Sequence, residues 1–224
     1  MSDSFIEKAK VNWKFVADVF VLNKSAIYPE HTPIQEFDLH HGKNILEYGS
    51  GVGSDAWEYA RRNNYVTCCD IVAENLAKAK ENLSSFGFDA TYVLLNESFP
   101  LPFDDGVFDL VNSHGVIHHI PQGSEVVKEF HRVLKSGGLC YIMLYTEVLG
   151  LYFASQIKPL MEQYPQIGSQ EEAFCWLVDG FGTTYARPYN EEEGRKLLTD
   201  AGFEVTKTSV YNNDFFRTYR SVKG

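Results

Sequence analysis

The stretch Ile45-Leu46-Glu47-Tyr48-Gly49-Ser50-Gly51-Val52-Gly53 constrains the chain more than any other. An apolar run of strand length ends in an acid and a tyrosine, then enters a turn with glycine at every second position. A helical pattern follows, from about Ser54 to Arg62. Glycine has no Cβ, so such a turn bends sharply and brings its amides within contact of a ligand. Dinucleotide sites use a related turn, G-x-G-x-x-G, with the pyrophosphate on the helix N-terminus. Here the pattern is G-x-G-x-G, and Ser54 stands where the third glycine of the dinucleotide pattern would be. The strand also points Glu47 towards the ligand. A carboxylate in that place repels a pyrophosphate and suits a cationic or hydroxyl-rich ligand.

From residue 43 onward, strand and helix patterns alternate. Strand-like segments are Asn44–Tyr48, Tyr65–Cys69, Ala90–Leu95, Val107–Ser113 and Leu139–Tyr145; helix-like segments are Ser54–Asn63, Ala73–Phe86 and Ser124–Leu134. This alternation predicts an α/β fold, a parallel sheet with helices on both faces. Gly87 and Gly137-Gly138 mark helix stops. Residues 1–42 are aromatic-rich, and Phe5, Ala9, Trp13 and Val16 have helical spacing. Tyr28-Pro29 and Thr32-Pro33 interrupt any helix there. The segment is either a lid over the ligand end of the sheet or a packing helix along the domain edge. Residues 146–188 break the alternation and read as a helical insertion, a cap near the carboxyl ends of the strands, where α/β sheets bind ligands. It closes with Asp179-Gly180-Phe181-Gly182. Asn190-Glu191-Glu192-Glu193 starts a helix that stops at Gly202. Phe203–Tyr211 and Asp214–Arg220 read as a closing antiparallel pair.

A chain of 224 residues with 44% hydrophobic content fits one domain. Its net charge is −10 and no basic block occurs, which disfavours nucleic acid as a partner. Cys68 and Cys69 are adjacent on a strand, so they point to opposite faces. With Cys140 and Cys175 they read as buried, reduced thiols, and no pair has zinc-ligand spacing. The N-terminus lacks a signal pattern and no apolar run is long enough to span a bilayer. These features predict a cytoplasmic, soluble chain, away from membranes, as a monomer or homodimer.

Glycine turn and acid together resemble the first motif of class I methyltransferases that use S-adenosylmethionine. That ligand carries an ammonium, a sulfonium and a ribose but no phosphate. Further motifs follow in order. Asp70 ends the second strand, where the family places an acid on the ribose hydroxyls; two acceptor oxygens suit a diol. Asn96-Glu97-Ser98-Phe99-Pro100-Leu101-Pro102-Phe103 and Phe108-Asp109-Leu110-Val111 resemble the third-strand loop, usually G-D-A-x-x-L-P-F before F-D-L-V, with Glu97 in place of the usual Asp. Ser113-His114-Gly115-Val116-Ile117-His118-His119 resembles S-x-x-V-L-H-H. Arg132-Val133-Leu134-Lys135-Ser136-Gly137-Gly138 resembles R-V-L-K-P-G-G, with Ser136 replacing the proline. The resemblance spans residues 43–145 and, more loosely, 188–211. Within the class it is nearest to small-molecule, methyltransferase-11-like enzymes with G-V-G-x-D after the turn and D-G-x-G late in the cap.

The resemblance implies a Rossmann-like class I methyltransferase fold, a seven-stranded, mostly parallel sheet with helices on both faces. The catalytic domain is then expected over residues 43–224, with residues 1–42 as an N-terminal helical lid or cap segment ahead of it. The cofactor pocket then comprises Glu47, Gly49, Ser50, Gly51 and Gly53, with Asp70 and Ile71 at the ribose. Asn96, Glu97 and Ser98 fall at the adenine, and Ser113 or His114 at the methionine part. The activity implied is methyl transfer to a small-molecule acceptor at oxygen, nitrogen or carbon.

A methyl group on a sulfonium is already electrophilic, so the enzyme holds the acceptor in line and excludes water. An oxygen or carbon acceptor also needs its proton removed, whereas an amine needs only to be neutral. Candidate bases near the ligand end are His114, His118, His119, Tyr145, Glu147, Asp179 and Tyr185. His114, His118 and Tyr145 are the catalytic candidates; Tyr28, His118, Asp179 and Tyr185 are those of the acceptor pocket. Histidine suits the role because its free pKa is near neutrality. The competing reading is that one histidine of the His118-His119 pair simply packs or hydrogen-bonds locally. No metal site is expected, because neighbouring residues 118 and 119 do not easily point together. The cap aromatics Tyr152, Phe153, Phe174, Trp176, Phe181, Tyr185 and Tyr189 divide between pocket and core, and His40-His41 are expected at the surface. Two other functions compete. An NAD(P)-dependent oxidoreductase would share the sheet and Asp70 but predicts glycine at position 54. A non-catalytic S-adenosylmethionine-binding module would bind the cofactor and transfer nothing.

Overall fold

The computed structural model describes residues 29–96, 99–180 and 183–224. Its strands are β1 Asn44–Tyr48, β2 Tyr65–Asp70, β3 Thr91–Leu94, β4 Phe108–His114, β5 Leu134–Tyr145, β6 Phe203–Tyr211 and β7 Phe216–Lys223. They form one seven-stranded sheet in the order β3-β2-β1-β4-β5-β7-β6. Strands β1 to β5 pair in parallel, and β7 runs antiparallel to both β5 and β6. The expected mostly parallel sheet is therefore present. The strand order reverses between β1 and β4, and open α/β sheets bind ligands at such a switch point.

Seven helices accompany the sheet among the described residues: α1 His31–Gln35, α2 Ser54–Ala60, α3 Ala73–Ser85, α4 Gly123–Val133, α5 Glu147–Gln163, α6 Gln170–Asp179 and α7 Glu191–Thr199. Strand alternation divides the core between the two faces. Ile45 and Cys68 pack with Ala56 and Tyr59 of α2 and with Leu76 and Leu83 of α3. Leu46, Tyr48 and Cys69 pack on the other face, with Val126 and Phe130 of α4 and Leu198 of α7. Each fully buried aliphatic or aromatic side chain contributes about 1.5–3 kcal/mol. The adjacent cysteines lie on opposite faces as expected, and all four thiols are free and buried. Helix α7 starts with a capping box in which Asn190 and Glu193 bond each other's backbone amides.

Three local expectations are corrected. Gly137-Gly138 does not end α4, which stops at Val133; both glycines lie within β5, where Leu134 already pairs with Phe108. Thr32-Pro33 does not prevent helix, because Pro33 falls in the first turn of α1, where backbone N–H groups lack intrahelical partners anyway. His40 is buried, its ring beside Tyr59 and Tyr141; only His41 is exposed. No helix among the described residues is long and apolar enough to cross a membrane.

The insertion after β5 holds α5 and α6. Thr146 and Ser169 cap their N-termini by accepting from Leu149 N and Glu172 N. Helix α6 buries Ala173, Phe174 and Cys175. Cluster contacts join Phe174 and Cys175 to Met143 and Tyr145 of β5. The cap is thereby fixed to the carboxyl end of the sheet.

Candidate active site

Strand β1 ends at Tyr48, and the turn Gly49–Gly53 leads into α2. Its three glycines have φ of +73°, +51° and +84°, a region that other residues rarely enter. A Cβ at Gly49 would also collide with Val116, whose Cγ1 would lie 2.9 Å away and whose Cγ2 would lie closer. At Gly51 nothing described lies within 4 Å of such a Cβ, so the turn is open on that side. Gly49 N and Ser50 N both donate to Cys69 O, at 2.8 and 3.0 Å. The turn is thus tied to the end of β2, where Asp70 stands. Asp70 Oδ2 accepts from Gly51 N and Oδ1 from Val72 N, each at 2.9 Å. Burial raises the Asp70 pKa, and these backbone donors partly offset it. Ile71 packs against the neighbouring core.

A second acidic group faces the other side of the turn. Glu47 pairs with Asn112 of β4 across the sheet. Asn112 Nδ2 donates to Glu47 Oε1 and Oε2 at 3.1 and 3.0 Å, and to Asp55 Oδ2 at 3.2 Å. Both carboxylates are buried, at 3% and 2% exposure. Two carboxylates gathered around one amide, away from water, favour a cation beside them.

Helix α1 completes this wall. His31 Nε2 lies 2.9 Å from Asp55 Oδ1. Gln35 Nε2 is 3.3 Å from His114 Nδ1, and the same nitrogen is 4.0 Å from Asp55 Oδ2. On the far side of the ring, Tyr211 OH is 3.3 Å from His114 Nε2. His114 thus joins β4, α1, α2 and β6. Ser113 is fully buried beside it, and its Oγ meets no partner among the described residues. Asn96 is exposed after β3. Glu97, Ser98 and Tyr28 lie outside the described residues.

The cap side holds the remaining candidates. His118 is fully buried, with its ring 3.7 Å from that of Tyr145. Burial holds its pKa well below the ordinary value, so it packs as a neutral core ring. His119 Nδ1 donates to Tyr185 O at 2.9 Å, and its Nε2 is 4.0 Å from Asp179 Oδ2. Burial lowers the His119 pKa, and Asp179 pulls it partly back. Tyr145 OH donates to Asp179 Oδ1 at 2.7 Å. Tyr145, Asp179 and the Tyr185 backbone therefore converge, with His119 as their centre. Glu147 instead pairs with Arg217 at 3.1 Å. Among the aromatics, Phe174 and Tyr189 are core, and Tyr152 is exposed.

A profile of the methyltransferase domain family matches residues 46–142. That span runs from β1 into β5 and contains the glycine turn, Asp70, Asn112 and His114. The chain is a class I S-adenosylmethionine-dependent methyltransferase. It is 25% identical over 220 residues to a ubiquinone/menaquinone biosynthesis C-methyltransferase of Neisseria meningitidis, covering 95% of this chain and 87% of that protein. Its fold matches that of a SAM-dependent methyltransferase from Methanosarcina mazei, with a TM-score of 0.68, 24% identity, and coverage of 85% of this chain and 97% of that one. It also matches magnesium protoporphyrin IX methyltransferase from Synechocystis with bound SAH, with a TM-score of 0.62, 17% identity, and coverage of 97% and 86%. The oxidoreductase alternative is not favoured.

The methyltransferase site fits its cofactor on structural grounds. The open side of Gly51 offers backbone approach, and the Glu47–Asn112–Asp55 group suits a cationic ligand. Two contributors escaped the sequence reading. Asp55 appeared there only as the end of G-V-G-x-D, a signal that could have marked it. The other is Arg132, which donates to Leu101 O, Phe103 O and Asp105 Oδ1 at 3.1, 2.8 and 2.7 Å. Together with Glu129, which accepts from Leu101 N at 2.7 Å, it fixes the Leu-Pro-Phe loop. The arginine of R-V-L-K-x-G-G was the available signal.

Proposed function

We propose that this methyltransferase acts on a small hydroxylated ring, at an oxygen or at the carbon beside it, with His114 as the base. The observation that carries the reading is the placement of His114. Its ring stands at the end of β4, near a buried carboxylate on one side and bonded to a tyrosine hydroxyl on the other. A carboxylate beside an imidazole stabilises the imidazolium formed when a proton is taken, as in other base–acid pairs. The similarity to a quinone-pathway C-methyltransferase supports a ring acceptor, and the net charge of −10 disfavours nucleic acid.

The bound cofactor supplies an electrophilic methyl group. Asp70 would accept from its ribose hydroxyls, and Glu47 with Asn112 would face its ammonium. Ser50, Gly51 and Ser113 would line the path between them. Helix α1 within the lid and the 146–188 cap would exclude water from the reacting groups. Tyr145, Asp179 and Tyr185 would contact the acceptor from the cap side, and His118 would hold Tyr145 in place. Four free, buried thiols fit a reducing, cytoplasmic compartment, and the chain is read as a monomer or homodimer.

The test is transfer from labelled S-adenosylmethionine to a panel of hydroquinones and naphthoquinols, with simple amines in parallel. The rings are expected to be labelled. His114→Gln should lower that rate by about 100-fold or more, the usual contribution of a general base, while SAH affinity stays the same. Labelling confined to amines refutes the acceptor class. A fully active His114→Gln refutes the base. SAH binding with no transfer to any acceptor favours the non-catalytic module.

A further inference from the structure

One polar cluster, on the cap side of the site, gathers three residue types that bind metal ions. His119, in the turn Ile117–His119 after β4, meets Cys175 and Asp179 of α6. Each offers one ligand atom, and these atoms all lie within 4.8 Å of one another. Residues four apart share a helix face, so α6 presents its thiol and its carboxylate together. Cys175 Sγ is 3.6 Å from Asp179 Oδ2 and 3.8 Å from the His119 ring at Nδ1. His119 Nε2 is 4.0 Å from the same carboxylate oxygen. A four-coordinate ion bound at about 2.0–2.3 Å sets its ligand atoms roughly 3.3–3.8 Å apart. With the ligand atoms within 4.8 Å of one another, side-chain adjustments of about one ångström close the set around an ion.

The surrounding contacts prepare each ligand. His119 Nδ1 donates to Tyr185 O, which leaves the lone pair of the neutral ring on Nε2, the nitrogen nearest Asp179. Tyr145 OH occupies Asp179 Oδ1 and orients Oδ2 towards the thiol. Ligating imidazoles and carboxylates are characteristically held by such outer partners. One thiolate and one carboxylate balance a divalent ion, so the occupied cluster is neutral and tolerates burial. A sulfur, a nitrogen and an oxygen donor suit zinc-class ions and not magnesium or calcium.

We propose that His119, Cys175 and Asp179 bind one zinc-class divalent ion, which pins cap helix α6 to the end of β4 and keeps a fourth position for water or an acceptor oxygen. Three protein ligands with one open position is the pattern of catalytic zinc sites. Binding forms a sulfur–metal bond and releases the Cys175 thiol proton to solvent, with no change in oxidation state. Local spacing does not reveal this set, because the spatial neighbours of His119 lie 56 and 60 residues further on. The other clustered group, His31, Asp55 and His114, belongs to the site already described.

The full chain, treated with chelator and desalted, is titrated with Co²⁺ alone. One Co²⁺ per chain and a thiolate-to-cobalt charge-transfer band are expected, and Zn²⁺ should displace both. Cys175→Ser should remove the band. Asp179→Asn should weaken Co²⁺ binding by more than about 100-fold, and Tyr145→Phe by about 10–100-fold, the range for outer contacts. His41→Ala, at an exposed position, should leave it unchanged. SAH binding reports whether each variant is folded. No saturable band in the parent chain, or a band of equal strength in Cys175→Ser, overturns the site. If Cys175→Ser fails to fold, Asp179→Asn decides, and unchanged Co²⁺ affinity in that folded variant overturns it.

Discussion

Replacing Asp70 with alanine tests the cofactor pocket most directly. The carboxylate is 7% exposed and accepts from Gly51 N and Val72 N, each at 2.9 Å. Asn75 Nδ2 lies 3.5 Å from both oxygens. Alanine removes the acceptors of two backbone donors, each costing about 1–3 kcal/mol if left buried and unmatched. Two effects reduce that sum. The buried charge itself disappears, and its burial is the main cause of its raised pKa. Water can also enter the vacated volume beside Gly51, whose side is open. The expected loss of stability is therefore about 1–3 kcal/mol and not double that figure.

Binding should suffer separately. Ribose hydroxyls that lose their acceptor cost about 1–3 kcal/mol, which is roughly 5- to 150-fold in affinity. Calorimetric titration with SAH, alongside thermal unfolding, measures both effects. Asp70→Asn should fall between parent and alanine, because it keeps one acceptor oxygen. The pH dependence adds an independent check. The folded pKa lies above the unfolded value of 3.8, so between the two the folded state holds more protons. Asp70 therefore favours folding below that window, and the contribution is lost as pH rises through the folded pKa. Ribose donors prefer the ionised form, so SAH affinity should rise across the same window and then level off. In Asp70→Asn that rise should vanish. A folded Asp70→Ala chain that binds SAH as tightly as the parent would remove this acid from the ribose and sink the pocket assignment.

Three further outcomes are expected. Gly49→Ala combines a left-handed φ, worth about 1–2 kcal/mol, with overpacking against Val116 of about 1–3 kcal/mol; adding Val116→Ala should recover only the second part of the lost thermal stability, and an unchanged melting temperature for the single variant counts against the turn geometry. Arg132→Ala releases the Leu101 and Phe103 carbonyls and should cost about 1–3 kcal/mol, with weaker SAH binding, since the loop it fixes leads away from the adenine-side segment; full affinity with full stability would show that the loop holds itself. Tyr211→Phe removes one partner of His114 and should slow transfer about two- to tenfold, the scale of a single hydrogen bond, with a shifted pH–rate profile; an identical profile would separate Tyr211 from the base.

Legibility in the sequence followed the range of the interaction. Strand β1 was readable to the residue, Asn44–Tyr48, because its apolar run is bounded by glycine and its burial is set locally. Strand β5 was read five residues short, because Gly137-Gly138 is a local stop signal that pairing with β4 overrides. Helix α1 has only five residues, too few for periodicity to show. His31 and Gln35 therefore could not be placed beforehand against Asp55 and His114. Asp55 itself was visible as a motif letter, but its role depends on the register that sets Asn112 opposite Glu47. His40 was expected outside, yet two tyrosines 19 and 101 residues further on enclose it. What escaped was, each time, a contact between segments far apart in the chain.

The register between β1 and β4 also explains why the sheet end suits one cofactor class. Glu47, Asp55 and Asp70 are 3%, 2% and 7% exposed, and all three flank one turn. A single pair of like charges about 5 Å apart, at an effective dielectric near 20, costs about 3 kcal/mol. A pyrophosphate brought to this turn would meet that cost more than once, whatever its backbone amides offered. A ligand with an ammonium, a sulfonium and a diol converts the same charges into attractions and hydrogen bonds. Serine in place of the third glycine of a dinucleotide turn is thus a minor part of the distinction. The larger part is the buried acid, and Asn112→Leu tests it: withdrawing the shared amide should weaken SAH binding by about tenfold or more, the scale of one charge-assisted bond, whereas unchanged affinity would show that the acids do not act together on the ligand.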